Sequence, residues 1–558
     1  KMEQVTTESV TSLQSMVSYT LAGFLLVLFV VYCYIDLSRV VRLILPLTGP
    51  RKVPIVGNAL LTLGVKPKDV LYKILSYDTY GSTTSVTFGS RAITFIADPK
   101  DVEVILGSSV HLQKSDEYKY FQPWLGDGLL ISKGEKWRTH RKIIAPTFHL
   151  NVLKTFVPLF YENSRDLVLR LRSQIGKEFD CHDYLSELTV DILMETAMGV
   201  RGKEKQKSSY EYAMAVMKMC DIIHRRQYNP IYWGDFIFNM TSFAKKQKEF
   251  LNTIHSLTSR VIRSKKEQTY SDICSEIVGK EDKTEKTSKG SEASKKEKAS
   301  STGLRYVRDD LDDIDDNDVG EKKRLAFLDL MLELSRQGVE LSDKDIEEEV
   351  NTIMFEGHDT TAAGSSFTLC VLGTHQDIQE RVYEELNEIF QGSDRQCTFQ
   401  DTLEMKYLER VILETLRLFP PVPAIARKVT EDVQLATRKD VIPKDTTVVI
   451  PIYKVHRMEE LYPNAEKFDP DNFLPEKMQA RHYYAYIPFS AGPRSCVGRK
   501  YALLKLKVLI STILRNYRIV SNLTEKDYRL QVDIILKRSD GFRIKIEPRN
   551  KANSDMVA

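Results

Sequence analysis

A single cysteine in a glycine-bounded loop is the strongest chemical signal in the sequence. Cys496 lies in FSAGPRSCVG, between Gly492 and Gly498 and just before a segment with helical periodicity. Backbone N–H groups at a helix start stabilise a thiolate, and glycine lets the backbone fold closely around the sulfur. Most isolated cysteines are small buried hydrophobes, but the ten-residue frame around Cys496 predicts a thiolate that binds iron.

A second group of reactive side chains lies in FEGHDTT, within a helical segment. Asp359 and Thr360 form an acid–alcohol pair, which can pass protons to a bound reactant. Gly357 removes a side chain where a flat group and O2 would need room. Glu356 is a carboxylate among apolar neighbours, which is costly unless it is paired or has reacted. A Thr-Thr pair alone would be incidental, so this interpretation depends on the accompanying motifs.

Two further pairs have the spacing of one helix face. Glu414 and Arg417 are three residues apart, and alone they would be an ordinary surface ion pair. Trp137 and Arg141 are four residues apart, so they also share a face. An arginine at such a position is suited to hold a carboxylate of a bound group.

Helical periodicity and terminal signals place these residues on defined elements. Ser342, with Asp345 three residues later, predicts the start of a long helix over 343–372 that carries the acid–alcohol pair. A helix over 404–418 stops at Pro420. The remaining predictions are helices over 243–261, 324–337 and 497–516, and a strand-like run over 84–94.

These four motifs, in this order, resemble those of the cytochrome P450 superfamily, and the resemblance covers the chain after residue 45. It implies a mainly α fold with small β-sheets (α+β) and an N-terminal transmembrane helix. It also implies a haem b cofactor with Cys496 as the axial ligand of the iron. Such a thiolate donates electron density into the iron and favours O–O cleavage. Phe489 opens the cysteine loop in this frame.

The same resemblance assigns roles to the other side chains. Asp359 and Thr360 would be catalytic, relaying protons to bound dioxygen, and Gly357 would leave room beside the haem. Glu414 and Arg417 would brace the haem loop. Asn472 stands where the family usually has an arginine, so hydrogen bonding must replace a charge there. The residues expected to hold the haem propionates are Trp137, Arg141, Arg427 and Arg494.

Longer stretches are similar to family 4 of the superfamily, among them 349–367 and 481–500. The charged insertion at about 269–322 is the mark of subfamily G, an insect branch. Members of that branch convert long-chain fatty aldehydes to hydrocarbons one carbon shorter, with release of CO2, and the products waterproof the cuticle. They use O2 and NADPH through cytochrome P450 reductase. In family 4 the glutamate at the position of Glu356 can form an ester with a haem methyl, which predicts a covalent haem.

The N-terminal region predicts a membrane anchor rather than a buried core helix. Residues 15–35 carry no charge, and about 20 apolar residues span a bilayer core as a helix. Basic residues follow this stretch, so the bulk of the chain should face the cytosol. The predicted division is an anchor at 1–36, a proline-rich hinge at 37–56 and a haem domain at 57–558. The resemblance implies a single span in the endoplasmic reticulum membrane.

Composition excludes several classes of protein. The 558 residues carry a net charge of +3, which is too small an excess to favour nucleic acid as a partner. Seven cysteines without a CxxC pair argue against a secreted disulfide framework and against a zinc ribbon. The segments 279–303 and 309–318 have too few hydrophobic residues to order alone. They are predicted to be a solvated loop or, alternatively, a contact surface.

A basic patch is predicted on the thiolate side of the haem, although each cation alone fits a solvated helix face. Together they would guide an acidic flavoprotein reductase to this side. The cations are Lys136, Arg138, Lys142, Arg499, Lys500, Lys505 and Lys507.

Three other functions are left open by the residues. ω-Hydroxylation of fatty acids or terpenoids is the usual activity of family 4. A non-catalytic haem or gas sensor would not need the proton relay of Asp359 and Thr360. A membrane scaffold that acts through the charged insertion would lack the carbon-monoxide band of a reduced haem thiolate.

Overall fold

Helices dominate the molecule and its strands are short, so the mainly α fold with small β-sheets is confirmed. The computed structural model describes residues 2–36, 47–53, 55–62, 64–89, 91–200, 205–280 and 325–549. Most of these residues surround one large buried cluster of apolar side chains. A second, smaller cluster of apolar side chains packs against the largest β-sheet, whose strands are given below.

The helices over the described residues are numbered α1 to α18 in chain order. They are Met2–Asp36, Pro67–Leu75, Pro99–Leu106, Gln122–Leu125, Gly134–Ile144, Leu150–Leu171, Cys181–Thr196, Lys205–Tyr228, Asp235–Asn239, Ser242–Lys280, Phe327–Arg336, Asp343–Thr374, Gln376–Phe390, Phe399–Glu404, Lys406–Leu418, Ile452–Val455, Pro475–Ala480 and Arg499–Asn516.

The strands are numbered β1 to β11 on the same basis. They are Thr83–Phe88, Arg91–Ile96, Glu178–Asp180, Ile425–Lys428, Val433–Gln434, Val441–Ile442, Thr447–Ile450, Tyr517–Val520, Leu530–Asp533, Ile535–Arg538 and Arg543–Pro548. The largest sheet has the order β1-β2-β7-β4, in which β2 and β7 are parallel and the other neighbours antiparallel. β3, β11 and β8 form a second sheet, and β9 pairs with β10 as an antiparallel hairpin.

The long helix α12 runs through the middle of the core. It packs against α7, α8, α15 and α18, and for this reason it is buried on nearly all sides. The predicted capping box is present: Ser342 Oγ accepts from the N–H of Asp345, and the Asp345 carboxylate accepts from the N–H of Ser342, both at 3.1 Å. This cap fixes the start of the helix that carries the acid–alcohol pair.

Several elements differ from the sequence prediction. The run over 84–94 is not one strand but the antiparallel β1 and β2, because the chain turns at Gly89, whose φ is +60°. The helix predicted over 404–418 is found as α15, Lys406–Leu418, and only its start differs: Glu404 ends the preceding α14, and Met405, whose ψ of 65° is not helical, separates the two. The helix predicted over 243–261 is the longer α10, which continues into the start of the charged insertion.

The predicted domain boundaries fall largely outside the described residues. This holds for 37–46 of the hinge and for 281–324 of the insertion. The N-terminal helix α1 is described, and its apolar stretch Met16–Ile35 is long enough to cross a membrane and is not buried by any other described part of the chain. That arrangement is consistent with a membrane anchor and not with a core helix.

Candidate active site

A cavity of about 450 Å³ lies between α12 and the loop that precedes α18. Cys496 and Phe489 of the loop line one wall, and Glu356 and Thr360 of α12 line another. The remaining walls are mostly apolar and come mainly from the helices α2, α5, α7 and α8, from the strands β1, β2, β4, β7, β9 and β10, and from loops between them. This volume is in the range of ligand sites, and the cavity brings together motifs more than a hundred residues apart in sequence.

The backbone of the cysteine loop is fixed by one close approach. Gly492 has a φ of +71°, and a Cβ built on it would lie 2.0 Å from the carbonyl oxygen of Leu106 in α3. The amide of Cys496 donates to the carbonyl of Phe489 at 2.9 Å, which closes the loop. The glycine expected from the sequence is therefore needed because of a neighbouring backbone, and not because of the sulfur itself.

The pKa of the Cys496 thiol is subject to opposing electrostatic effects. Its pKa is raised to about 11 by loss of solvation and, to a smaller extent, by the Glu356 carboxylate, although the N–H of Gly498 at the start of α18 opposes the rise. A thiol coordinates iron as the thiolate. Deprotonation of this buried thiol therefore calls for a positive charge beside the sulfur, which a coordinated metal ion supplies.

Cationic side chains line one side of the cavity. The guanidinium carbon of Arg494 lies 4.8 Å from the ring centroid of Trp137, and Arg427 forms a β-bridge with Lys114. Arg141 donates to the carbonyl of Ser495 at 2.8 Å, which ties α5 to the cysteine loop. Of the four residues predicted to hold propionates, Trp137, Arg141 and Arg494 line the cavity, whereas Arg427 is buried next to the lining residue Ala426 and does not line it. Lys114 lines it as well.

The charge of this group fits an anionic ligand. Arg494 donates to backbone carbonyls, among them those of Leu112 at 2.6 Å and Ser132 at 2.7 Å, rather than to carboxylates. Burial lowers the pKa of Arg494 to about 9, and burial with Arg427 and Arg494 holds the pKa of Lys114 well below its usual range. A buried charge is costly without a partner. A bound group with two carboxylates, such as haem, would relieve this accumulation of positive charge.

Helix α12 presents polar groups to the opposite wall. The Thr360 hydroxyl donates to the carbonyl of Glu356 at 2.6 Å, and the Thr361 hydroxyl donates to that of Gly357 at 2.8 Å. Burial raises the pKa of Glu356 to about 7, although Lys114 acts in the opposite direction. A Cβ on Gly357 would lie 2.9 Å from Cδ2 of Leu193 in α7. The absent side chain thus leaves room for Leu193, which lines the cavity together with Gly357, and the role of Gly357 beside a cofactor stays a prediction.

Asp359 lies on a different face of α12 from Thr360. Its carboxylate oxygens are 3.0 and 3.1 Å from Nζ of Lys537 in β10, and neither residue lines the cavity. Consecutive helical residues point about 100° apart, so the two members of the acid–alcohol pair face different surroundings. The structure places Thr360 at the cavity and Asp359 in a buried ion pair behind it.

The Glu414–Arg417 pair is buried and makes two hydrogen bonds of 2.7 Å. Arg417 also donates to the carbonyls of His456 and Ala465. Asn472 donates to Oε1 of Glu414 at 3.2 Å, so an amide hydrogen bond stands where a second guanidinium was expected. This network joins α15 to the segment that leads into the cysteine loop.

Two functional contacts had no clear signal in the sequence. Lys114 is isolated between polar residues, so nothing marked it as part of the cavity wall. His140 lies within the Trp137 motif, and its Nδ1 is 2.6 Å from Oε1 of Glu349, which links α5 to α12. Burial raises the pKa of Glu349.

The predicted basic patch is wrong as a surface. Arg499, Lys500, Lys505 and Lys507 are buried, because α18 is enclosed by α6, α12 and α15. Lys507 pairs with Glu409 at 2.9 Å, and Lys136 pairs with Asp345 at 2.8 Å. Of the predicted cations, Arg138 and Lys142 remain exposed.

A model of the family Cytochrome P450 matches residues 47–546. The chain belongs to the cytochrome P450 family. It is 52% identical to cytochrome P450 4g15 of Drosophila melanogaster, over 98% of this chain and 100% of the relative. It is 50% identical to cytochrome P450 4g1 of the same organism, over 92% and 91%. Human cytochrome P450 4V2 is 38% identical over 95% of both chains.

These matches confirm the resemblance to family 4 and to its subfamily G. Membership implies a haem-thiolate iron cofactor, a monooxygenase type of reaction with O2, and a reductase as redox partner. The donor set agrees with that cofactor, since a thiol faces the cavity from one wall and an excess of cations lies at its side.

Proposed function

We propose that this P450 is an oxidative decarbonylase, which converts long-chain fatty aldehydes to hydrocarbons one carbon shorter for the cuticle. The near full-length similarity to subfamily G supports the reaction class. The observation that carries the substrate class is the cavity, which extends from Cys496 to the apolar side chains of β1 and β2. A flexible alkyl chain can be desolvated along such walls.

The described residues also suggest how a waxy substrate arrives. The segment around α9 exposes Phe236 and Met240, at 79% and 77% of their surface, close in sequence to Trp233 on the cavity wall. The apolar helix α1 would keep the domain at a membrane, in our proposal that of the endoplasmic reticulum with the domain in the cytosol. Protease treatment of sealed microsomes should digest the domain from outside, and its protection would contradict this orientation.

The mechanism assigns distinct tasks to the side chains. Haem bound through Cys496 would supply the activation of O2, with electrons from NADPH through the reductase. Trp137, Arg141, Arg427 and Arg494 would hold its carboxylates, with Lys114 as a further cation. The apolar cavity walls exclude water and position the aldehyde end of the substrate.

Residues of α12 would pass protons to the site of the reaction. The overall reaction RCHO + O2 + NADPH + H⁺ → RH + CO2 + H2O + NADP⁺ consumes two protons for the two electrons delivered. The Thr360 hydroxyl lies at the cavity, where it can hold a proton donor beside bound O2. The Asp359 carboxylate would exchange protons with it from the other side of the helix.

We also propose that Glu356 binds the haem covalently through an ester. A carboxylate oxygen of Glu356 would replace one hydrogen of a haem methyl group, and this two-electron oxidation would be driven by the O2 and NADPH of the enzyme's own reaction, with O2 reduced to two molecules of water. Its carboxyl lies on the cavity wall and is buried among apolar groups, a position in which esterification removes an unfavourable charge. Acid–acetone extraction should leave haem on the wild-type protein and remove it from Glu356→Ala. Complete extraction from the wild type would refute the link.

The proposed reaction can be tested with the full chain in lipid vesicles, together with reductase, NADPH and octadecanal. We expect heptadecane and CO2 in equal amounts, detected by mass spectrometry. Exclusive formation of ω-hydroxylated product would replace decarbonylation with the usual family 4 reaction. A normal reduced carbon-monoxide band without NADPH consumption would favour a sensor instead.

A further inference from the structure

A buried cluster of titratable side chains lies behind α12. Its members come from α7, α8, α12 and the β9–β10 hairpin, and none of them is more than 6% exposed or lines the cavity. They are His182, Tyr212, Cys220, His358, Asp359, Asp533 and Lys537. The pKa of each is influenced by at least one other member, so the seven groups form one electrostatic unit.

Lys537 forms an ion pair with Asp359 at the end of this cluster that belongs to α12. Burial would raise the pKa of Asp359, but the Lys537 ammonium at 3.0 Å outweighs it and keeps that pKa below its usual range. Burial also keeps His358 and His182 neutral, with pKa values lowered to about 4 and about 3. The Asp359 carboxylate is therefore charged, fixed in direction and surrounded by neutral polar groups.

Several polar atoms of the cluster have no hydrogen-bond partner among the described residues. They are Oδ1 of Asp533, the hydroxyl of Tyr212, and Nε2 of both His182 and His358. More than about 90% of buried polar groups in proteins are hydrogen-bonded to protein or ordered water. Four such atoms in one cluster indicate sites for buried water molecules, which typically bridge groups of this kind.

The outer end of the cluster approaches the surface at Asp533. This residue ends β9, which packs against α8, and the charge of Asp221 in α8 acts on it. The Asp221 side chain is 29% exposed and pairs with Arg225 at 2.8 Å. Burial raises the pKa of Asp533 to about 7, although Lys537 opposes the rise. A carboxyl with this pKa binds and releases protons readily near neutral pH.

We propose that the cluster is the route by which protons reach Asp359, from solvent at Asp221 through Asp533 and buried water. Lys537 is a positioning residue in this route, because it holds the Asp359 carboxylate toward the water. The inference rests on the proposed function, since it supplies the protons that reduction of O2 requires. A proton enters at Asp533, passes through water to Asp359 and leaves toward Thr360. The two electrons come separately from NADPH, and Lys537 keeps its charge throughout.

The first test measures protonation without turnover. Infrared spectra of the haem-loaded full chain at about pH 6, below the pKa of Asp533, should contain the carbonyl band of a protonated buried carboxylic acid. Glu356 would contribute a carbonyl band of its own in both proteins, because its pKa is also about 7, so the diagnostic signal is the band that disappears in Asp533→Asn. Identical carbonyl bands in the wild type and in Asp533→Asn would overturn the assignment of Asp533 as the carrier.

The second test measures how electrons are used. We expect Lys537→Met and Asp533→Asn to lower the product formed per NADPH by about a hundredfold, the low end of proton-transfer effects, with hydrogen peroxide released instead. The solvent deuterium isotope effect should rise. Lys545→Met in β11 is the matched control, since Lys545 is 45% exposed and pairs only loosely with Glu547 at 3.9 Å.

The outcomes separate this route from the proposed function. Unchanged coupling in both variants, with an intact reduced carbon-monoxide band, would overturn the route. If Lys537→Met loses that band, Lys537→Arg keeps the charge, and its recovery of coupling would support a positioning role. If the wild type hydroxylates fatty substrates instead of decarbonylating aldehydes, the proposed function fails. The route is still tested, because hydroxylation also consumes two protons for each O2.

Discussion

Replacement of Gly492 by alanine should loosen the cysteine loop more than any other glycine change near it. A left-handed φ of +71° costs an L-residue about 1–2 kcal/mol. The new Cβ would lie 2.0 Å from the Leu106 carbonyl oxygen, and backbone cannot move aside as a flexible side chain can. Overpacking of this kind adds about 1–3 kcal/mol, so we expect a loss of about 2–5 kcal/mol in the free energy of unfolding.

The matched control is Gly134→Ala at the start of α5. Gly134 also has a positive φ, +56°, but a Cβ there meets no atom within 4 Å. Its cost should therefore be the conformational part alone, about 1–2 kcal/mol. The difference between the two variants in the free energy of unfolding therefore measures the effect of the contact with Leu106 alone.

Denaturant unfolding of both haem-loaded variants gives the free energies, and the reduced carbon-monoxide spectrum reports the thiolate bond. We expect Gly492→Ala to lose most of the thiolate form, because a shift of the loop moves Cys496 with it. Equal stability of the two variants, with an intact thiolate band in both, would refute the argument that this close approach fixes the loop.

Other replacements test the remaining contacts. Arg417→Met leaves the buried Glu414 charge unpaired and should lower the free energy of unfolding by about 3–5 kcal/mol, measured with denaturant. Asn472→Ala removes one hydrogen bond and should lower it by about 1 kcal/mol. Similar losses in the two variants would contradict the central position of Arg417. Because the pKa of Asp533 rises from 3.8 to about 7 on folding, its contribution to stability is complete below 3.8 and declines as pH rises to about 7. Asp533→Asn should therefore flatten the decline of melting temperature between about pH 4 and 7, and a parallel curve would contradict the shift. Lys505→Met removes a hydrogen bond to the Gly357 carbonyl and should broaden the optical difference spectrum recorded on substrate binding. An unchanged difference spectrum would show that this contact does not position α12.

The sequence could predict those contacts whose residues lie close together along the chain. Glu414 and Arg417 share a helix turn, so their spacing alone put them on one face, and their ion pair follows from that geometry. The capping box at Ser342 is local for the same reason. The cysteine loop was recognisable because its glycines and Cys496 occupy one short frame.

Contacts that depend on tertiary packing could not be predicted in this way. Lys537 is separated from Asp359 by 178 residues, and nothing local marks it as the partner. Lys505 and Lys507 would each fit a solvated face when taken singly, yet both are buried on α18. Charge normally keeps lysine at the surface, so sequence patterning predicts the opposite of what this helix does.

Helix α12 therefore separates two environments that the proposed chemistry must connect. Thr360 belongs to the apolar cavity, while Asp359, the preceding residue, belongs to a buried polar cluster that ends at Asp533. A proton that moves between them must pass around one turn of helix, where the Thr360 hydroxyl already bonds to the Glu356 carbonyl. Control of the reaction should consequently be sensitive to the β9–β10 hairpin, although that hairpin's charged residues touch neither the cavity nor Cys496.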